Sequence, residues 1–372
     1  MLIRNATAFI GGRFHQGVEV RVHHGRVHEV GQGLANGLYE DAIDLGGDFL
    51  LPGFVDVHIH AFKGKDAMQG EVAVRSMSRE LFREGVAAFL PTTMSASVQD
   101  TAAAVDGIRR VMEQPEHNGA RVLGAHMEAP FLAESKCGAQ VKAHFMDPDM
   151  DAFLQMCGGR PEAVRLITLA PERAGSEAFI RAVTKLGVHV SIGHTAATAE
   201  QVHRAADWGA THVTHTFNAQ TPLHHREPGV PGAALVDDRL FTEMICDGIH
   251  LHPDVVRLMV RAKGVGRAVA ITDAMEAAGM PDGQYSLGGQ AVYVQGGEAR
   301  LADGTLAGSV LTMRKAFENL LRWGIRPEDA AAMCTSTPAD AIGEKLAGRL
   351  AAGAPAPLTR WSRDWQWKGI LA

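Results

Sequence analysis

The chain changes its hydrophobic rhythm near residue 50. Before that point "LIRNATAFI", "GVEVRVHHGRVHEVG" and "DAIDLGGDFLLPG" alternate apolar and polar residues and are broken by glycine, the pattern of short strands joined by tight turns. Beyond it, short apolar runs ending in polar residues alternate with segments of 3.6-residue periodicity. The runs are "FVDVHIH", "AAFLPTT", "RVLGAHMEAP", "VRLITLAPE", "VHVSIGH", "THVTHTF", "FTEMICDGIH" and "AVAITD", eight in all. The periodic segments include "EVAVRSMSRELFREG", "TAAAVDGIRRVMEQ", "SEAFIRAVTKLG" and "TAEQVHRAADWG", and several close on glycine, as a helix C-terminus prefers. Eight strands alternating with helices predict an α/β fold, a (β/α)8 TIM-type barrel over residues 51–344. Residues 345–372 read as glycine- and proline-broken strands. Together with residues 1–50 they are expected to form a small β-sandwich accessory domain built from both chain termini.

In a barrel of this kind the active site lies at the C-terminal ends of the strands. The first run ends in His58 and His60, the third in Glu128, the fifth in His194, the sixth in His215, the seventh in Asp247 and His250, the eighth in Asp273. Ordinary surface residues would fall equally in the helices and at the strand starts. Residues i and i+2 of a strand share a face, so His58 and His60 stand with Cα atoms about 6.6 Å apart. Taken alone, they are either two metal ligands or two histidines of a solvated face; the series at the other strand ends favours metal. Four histidines and two carboxylates can hold two divalent metals, or one metal with a catalytic acid/base. Imidazole and carboxylate without cysteine suit zinc, iron, manganese or cobalt. A divalent metal lowers the pKa of its water to about 7, which makes hydroxide available at neutral pH. Asp273 can take the attacking proton and give it to a leaving group, although an aspartate there can also cap the next helix. This is the equipment for hydrolysis of an amide or related C–N bond. No G-x-S-x-G supports a nucleophilic serine. "GQGLANG" and "GGQAVYVQGG" lack dinucleotide or P-loop spacing and read as turns.

Composition narrows the partners. The 372 residues carry 36 lysines and arginines against 42 aspartates and glutamates, a net charge of -6, which does not favour nucleic acid. The four cysteines, Cys137, Cys157, Cys246 and Cys334, are scattered and read as reduced thiols. The start "MLIRNATAFIGGRF" has no long apolar core after a basic segment, and no stretch approaches the roughly 18 apolar residues of a membrane helix. A cytoplasmic protein without membrane contact is expected.

Seven segments, "LPGFVDVHIHAFKGKDAM", "HMEAPF", "SIGHTAA", "THTFNAQTPLHHREPG", "DGIHLHP", "ITDAM" and "DGTLAGSVLTM", resemble in content and order the N-acetylglucosamine-6-phosphate deacetylases of the amidohydrolase superfamily. The resemblance covers nearly the whole chain, and "THTFNAQTPLHHREPG" and "DGTLAGS" are specific to this group. It implies hydrolysis of N-acetylglucosamine 6-phosphate to glucosamine 6-phosphate and acetate, with one or two divalent ions per subunit, zinc foremost. Glu128, His194 and His215 would hold the metal that the family retains. His58 and His60, with Glu128 as a bridge, would form a second position that only some members keep. Asp273 would be the general acid/base beside the metal. Asn218, the backbone of Ala219, Arg226 and His250 would hold phosphate and sugar. Ala139, Gln140, Leu306, Ala307 and Gly308 would line the sugar. A homodimer is implied, with the "HHREPG" loop near the subunit boundary.

The chain also departs from the family pattern. "HLEGPF" is "HMEAPF" here, so Ala129 is expected to narrow the mouth of the third strand. "KGAH" is "CGAQ", which puts Gln140 where many members have a histidine that polarises the acetamide carbonyl. Glutamine donates a hydrogen bond but carries no charge. Gln220 replaces a common methionine, Ala61 follows the histidine pair, and "APLT" replaces "ADLV". These changes leave two other readings open: a deacetylase of another N-acyl hexosamine phosphate, such as N-acetylgalactosamine 6-phosphate, and an inactive sugar-phosphate-binding barrel. The complete ligand set argues against the second. Arg226 taken alone can be a surface ion pair of little consequence. His126, His189, His203 and His212 read as structural or exposed.

Overall fold

The computed structural model describes residues 1–371 apart from 36, 38, 39 and 117. The glycine-rich turn read at 31–37 therefore lies partly outside the described residues.

Eight parallel strands form the central sheet: β1 (Phe54–Ile59), β2 (Val86–Thr93), β3 (Ala125–Met127), β4 (Val164–Leu169), β5 (His189–Ile192), β6 (His212–Val213), β7 (Phe241–Ile245) and β8 (Ala268–Ile271). Each pairs with the next in chain order. Every residue of β1, β2, β7 and β8 is buried, as expected for strands covered on both faces. Helices return the chain along the outside. In Glu71–Arg83 the buried Val74, Met77, Ser78, Leu81 and Phe82 make one stripe at i, i+3 and i+4 spacing. Ser97, Thr198 and Thr312 cap three helix starts, each accepting a backbone N–H two residues into its helix or later.

The last and first strands are joined mainly at the rim. Asp273 N donates to His58 O at 2.8 Å, His60 N to Ala274 O at 3.0 Å, and Thr272 Oγ1 to Asp56 Oδ2 at 2.6 Å. The barrel thus closes through the residues that carry the chemistry.

Two expected strands are shorter than their apolar runs. "RVLGAHMEAP" yields β3 and a separate pair, Arg121–Val122. "THVTHTF" yields only His212–Val213, because His215 and Phe217 adopt φ of 28° and 81°, outside the extended region. "GGQAVYVQGG" is not a turn. It holds the strand Gln290–Gln295, paired with Gly283–Leu287 and Glu298–Arg300 in an antiparallel sheet inserted after β8. The paired glycines on either side are hairpin loops, and Val292 and Val294 alternate inward between exposed neighbours.

Strands from both ends of the chain share a seven-stranded sheet. Leu2–Ile10, Arg13–His23, Arg26–Gly31, Ala42–Asp44 and Phe49–Pro52 are joined by Leu358–Trp361 and Trp367–Leu371. This sheet has its own apolar cluster, including Ile3, Val20, Leu50 and Leu358. Gly53 links it to β1, and a Cβ there would stand 2.6 Å from Pro357 O and 2.7 Å from Ala87 Cβ. Only glycine permits that approach.

Candidate metal centre and substrate cavity

Five strands deliver the ligand-type side chains to one rim. His58 lies in β1 and His60 just beyond it; Glu128 follows β3, His194 β5, His215 β6 and Asp273 β8. His194, His215 and Asp273 have φ of 45°, 28° and 50°, and Ala219 has 52°. A left-handed backbone at such residues costs on the order of 1–3 kcal/mol each, a strain that the surrounding fold must hold in place.

The side chains form two groups, His58–His60–Asp273 and Glu128–His194–His215, the ligand atoms of each lying within 4.8 Å of one another. Glu128 joins the groups. Its Oε1 is 3.4 Å from His58 Nε2, 3.2 Å from His194 Nε2 and 3.1 Å from His215 Nε2, and its Oε2 is 3.1 Å from His60 Nε2. Asp273 Oδ1 is 3.2 Å from His60 Nε2 and 3.4 Å from His58 Nε2. The Nε2 atoms of His194 and His215 face each other at 3.1 Å, and those of His58 and His60 at 3.3 Å. Two imidazole nitrogens approach so closely only with a proton or a cation between them. Nitrogen and carboxylate donors converging without sulfur are of the chemistry that holds a divalent metal.

Electrostatics agree. Burial lowers the pKa of His60, but hydrogen bonds to Asp273 and Glu128 outweigh it and raise the value to about 9. Burial raises Asp273, but His58, His60 and His215 outweigh it and bring it down to about 2. Glu128, against its burial, is held well below the usual carboxylate range by His58, His194 and His215. The pocket is thus built to receive positive charge, which a metal supplies by displacing protons.

Further contacts set the ring orientations. His60 Nδ1 lies 3.2 Å from Thr92 O and His194 Nδ1 2.8 Å from Lys136 O. A carbonyl accepts only, so each Nδ1 carries the proton and each Nε2 offers its lone pair. Gln140 is more constrained than the sequence suggested. Its Oε1 accepts Ser95 N at 2.7 Å, and its Nε2 donates to Glu128 Oε2 at 2.7 Å and approaches Met94 Sδ at 3.6 Å. One of its amide N–H groups holds Glu128, and the side chain also stands on the cavity wall. Ala129 is buried and stands off the cavity wall, so it does not narrow the mouth.

A cavity of about 500 Å³ opens over the two groups. Ala139, Gln140, Asn218, Ala219, His250, Leu306 and Gly308 stand on its wall. Asp247 is not beside the ligand groups; its Oδ2 is 2.6 Å from His250 Nδ1, which leaves His250 Nε2 for the cavity. Ala307 is buried in the cluster of the inserted sheet and stands off the wall. Arg226 is exposed, with Nη1 2.8 Å from His225 Nε2, and stands outside the cavity of its own chain. Among the described residues, the lysine and arginine on the wall are Lys136 and Arg300, neither of them singled out in the sequence. Arg300 comes from the inserted sheet, which is tied to the loop opposite by Gln290 Nε2 donating to Ala139 O at 2.6 Å. His126, read as structural, is buried, with Nε2 2.8 Å from Thr168 Oγ1.

Gly308 has φ of +62°, and a Cβ there would lie 3.0 Å from Asp273 O and 3.2 Å from Met275 Cβ. Gly308→Ala is expected to displace the 306–308 segment and raise KM about 10-fold, the equivalent of one to two kcal/mol of strain. Steady-state kinetics beside a melting curve will separate this from unfolding.

Among the described residues no helix is long and apolar enough to cross a membrane. A profile of the Amidohydrolase family matches residues 49–366. The chain is 37% identical over 328 residues to the N-acetylglucosamine-6-phosphate deacetylase of Lysinibacillus sphaericus, covering 86% of this chain and 82% of that one. It is also 37% identical over 300 residues to the N-acetylgalactosamine-6-phosphate deacetylase of Escherichia coli O157:H7, covering 80% and 78%. Among solved structures, a mutant N-acetyl-D-glucosamine-6-phosphate deacetylase of Mycobacterium smegmatis, in complex with N-acetyl-D-glucosamine-6-phosphate, superposes with a TM-score of 0.92 at 33% identity, covering 100% of this chain and 97% of that one. With both the profile and the full-length relatives in agreement, the chain belongs to the amidohydrolase family and, within it, to the N-acetylglucosamine-6-phosphate deacetylases.

Proposed function

We propose that the enzyme hydrolyses the acetamide of N-acetylglucosamine 6-phosphate to glucosamine 6-phosphate and acetate. The observation that carries this reading is the cavity: one wall is the ligand cluster, and the others present Asn218, His250 and the 306–308 segment at the reach of a sugar phosphate. Glu128, His194 and His215 would hold one divalent ion, and His58, His60 and Asp273, beside the same Glu128, would hold a second. When bound, a divalent metal supplies a water of lowered pKa and polarises the acetamide carbonyl. Asp273, ionised at neutral pH, takes the proton of the attacking water and returns it to the amine nitrogen as the C–N bond breaks. Gln140 holds Glu128, and His250, backed by Asp247, offers Nε2 to the substrate's polar end. The backbone of Ala139, Ala219, Leu306 and Gly308 lines the sugar. Zinc is the ion we assign first, with iron, manganese or cobalt as alternatives for the same donors.

Arg226 serves the phosphate from the partner of a homodimer in this reading. Support comes from its exposure and from the apolar Leu223 three residues before it, 46% exposed. We divide the chain into residues 51–344 and an accessory domain of 1–50 plus 345–372; the apolar cluster of Ile3, Val20, Leu50 and Leu358, drawn only from the two termini, supports this, while Phe9 and Trp361 pack into the barrel's cluster. Four free cysteines suit the cytoplasm.

An acetate-release assay on the metal-analysed enzyme tests the reading. Turnover of N-acetylglucosamine 6-phosphate, lost with a chelator and restored by metal, is expected. Metal without turnover would leave a sugar-phosphate-binding barrel instead. The galactosamine-specific relative keeps N-acetylgalactosamine 6-phosphate as the second reading. The ratio of kcat/KM for the two sugars separates them.

A further inference from the structure

Glu243 lies in β7 at the heart of the barrel, fully buried. Its Oε2 is 3.1 Å from His58 Nδ1 and also accepts the backbone N–H of His215 at 3.1 Å. Its Oε1 has no hydrogen-bond partner among the described residues. A carboxylate with one idle oxygen in such a place is costly unless a positive charge answers it. The other polar side chains inside the barrel do not. His126, Thr168, Thr214 and Ser191 bond to one another, through contacts of 2.8 Å for His126–Thr168 and Thr168–Thr214 and 2.5 Å for Ser191–Thr214. The partner that can carry charge toward Glu243 is His58.

The four ligand histidines differ in what stands behind them. His60 and His194 are backed by backbone carbonyls, and His215 Nδ1 is without a partner among the described residues. His58 is backed by a carboxylate. That bond puts the proton on Nδ1, turns the Nε2 lone pair toward Glu128 and Asp273, 3.4 Å from each, and raises the basicity of the ring. We propose that Glu243 is the positioning residue of the second ion: through His58 it makes the His58–His60–Asp273 group a stable metal position beside the one formed by Glu128, His194 and His215. The proposal rests on the two-ion reading above.

The test uses Glu243→Gln, which removes the charge, and Glu243→Met, which also removes the acceptor at similar volume. Ions per chain are counted by elemental analysis after dialysis against buffered zinc, and the cobalt-loaded proteins are compared by visible absorption and by the magnetic coupling of an adjacent pair. The melting temperature of the metal-free proteins checks the fold. Two ions in the parent chain, one in both variants, and loss of the coupled signal are expected, with affinity for the second ion about 10- to 100-fold weaker. Variants that keep two ions at parental affinity overturn the proposal. So do folded variants that lose both ions, because Glu243 would then serve the whole cluster. A parent chain that binds one ion at every zinc concentration overturns the two-ion reading and the proposal with it; two ions in the parent and in the variants overturns the proposal alone.

Discussion

Glu128→Gln is expected to empty both metal positions and lower kcat/KM by on the order of 10⁴-fold or more. The Glu128 carboxylate faces the ligand atoms of both groups: Oε1 faces His58, His194 and His215, and Oε2 faces His60. Glutamine keeps the size but loses the charge that balances a cation, and its amide nitrogen has no lone pair to offer a metal. If its oxygen keeps the place of Oε1, its N–H₂ meets Gln140 Nε2, which donates to the carboxylate at Oε2, and two donors face each other. Metal chemistry is worth several kcal/mol of barrier, and each 1.36 kcal/mol is a factor of about ten. Elemental analysis with the acetate assay checks this. Full metal content in Glu128→Gln would refute the bridging role.

Asp273→Asn should act differently. Turnover falls about 10³-fold, the usual worth of a positioned acid/base. The ion held by Glu128, His194 and His215 stays, since Asp273 belongs to the other group. Asparagine preserves the backbone bonds of residue 273 to His58 and Ser309, so the rim remains closed. One retained ion, an unchanged KM and a collapsed kcat would fit proton transfer. Near-normal kcat would require another base.

The parts of this site that the sequence displayed are those governed by local rules. An apolar run followed by His, Glu or Asp is visible without knowing what lies opposite, and five such ends carry the cluster. The parts that stayed hidden depend on contacts across the barrel. Glu243 looked like one acid in "FTEMICDGIH". In hindsight it carried a signal, because a strand buried on both faces has no reason to hold a charge. Gln140 was legible as a departure, but its engagement with Glu128 and Ser95 follows from loop geometry. The inserted sheet is masked by its glycine pairs, which suit turns, while Val292 and Val294 between them carry the two-residue alternation of a strand. Arg226 was read from its segment alone, whereas its exposure follows from where the 221–228 loop leaves the barrel.

The closure between β8 and β1 has a mechanical meaning. Asp56 and Thr272, bonded at that edge, are 216 residues apart in the chain. With His58 and His60 on one side of that edge and Asp273 on the other, an ion bound by all three would be a removable cross-link. It would close a loop far longer than most disulfides do, with no covalent bond and no oxidant.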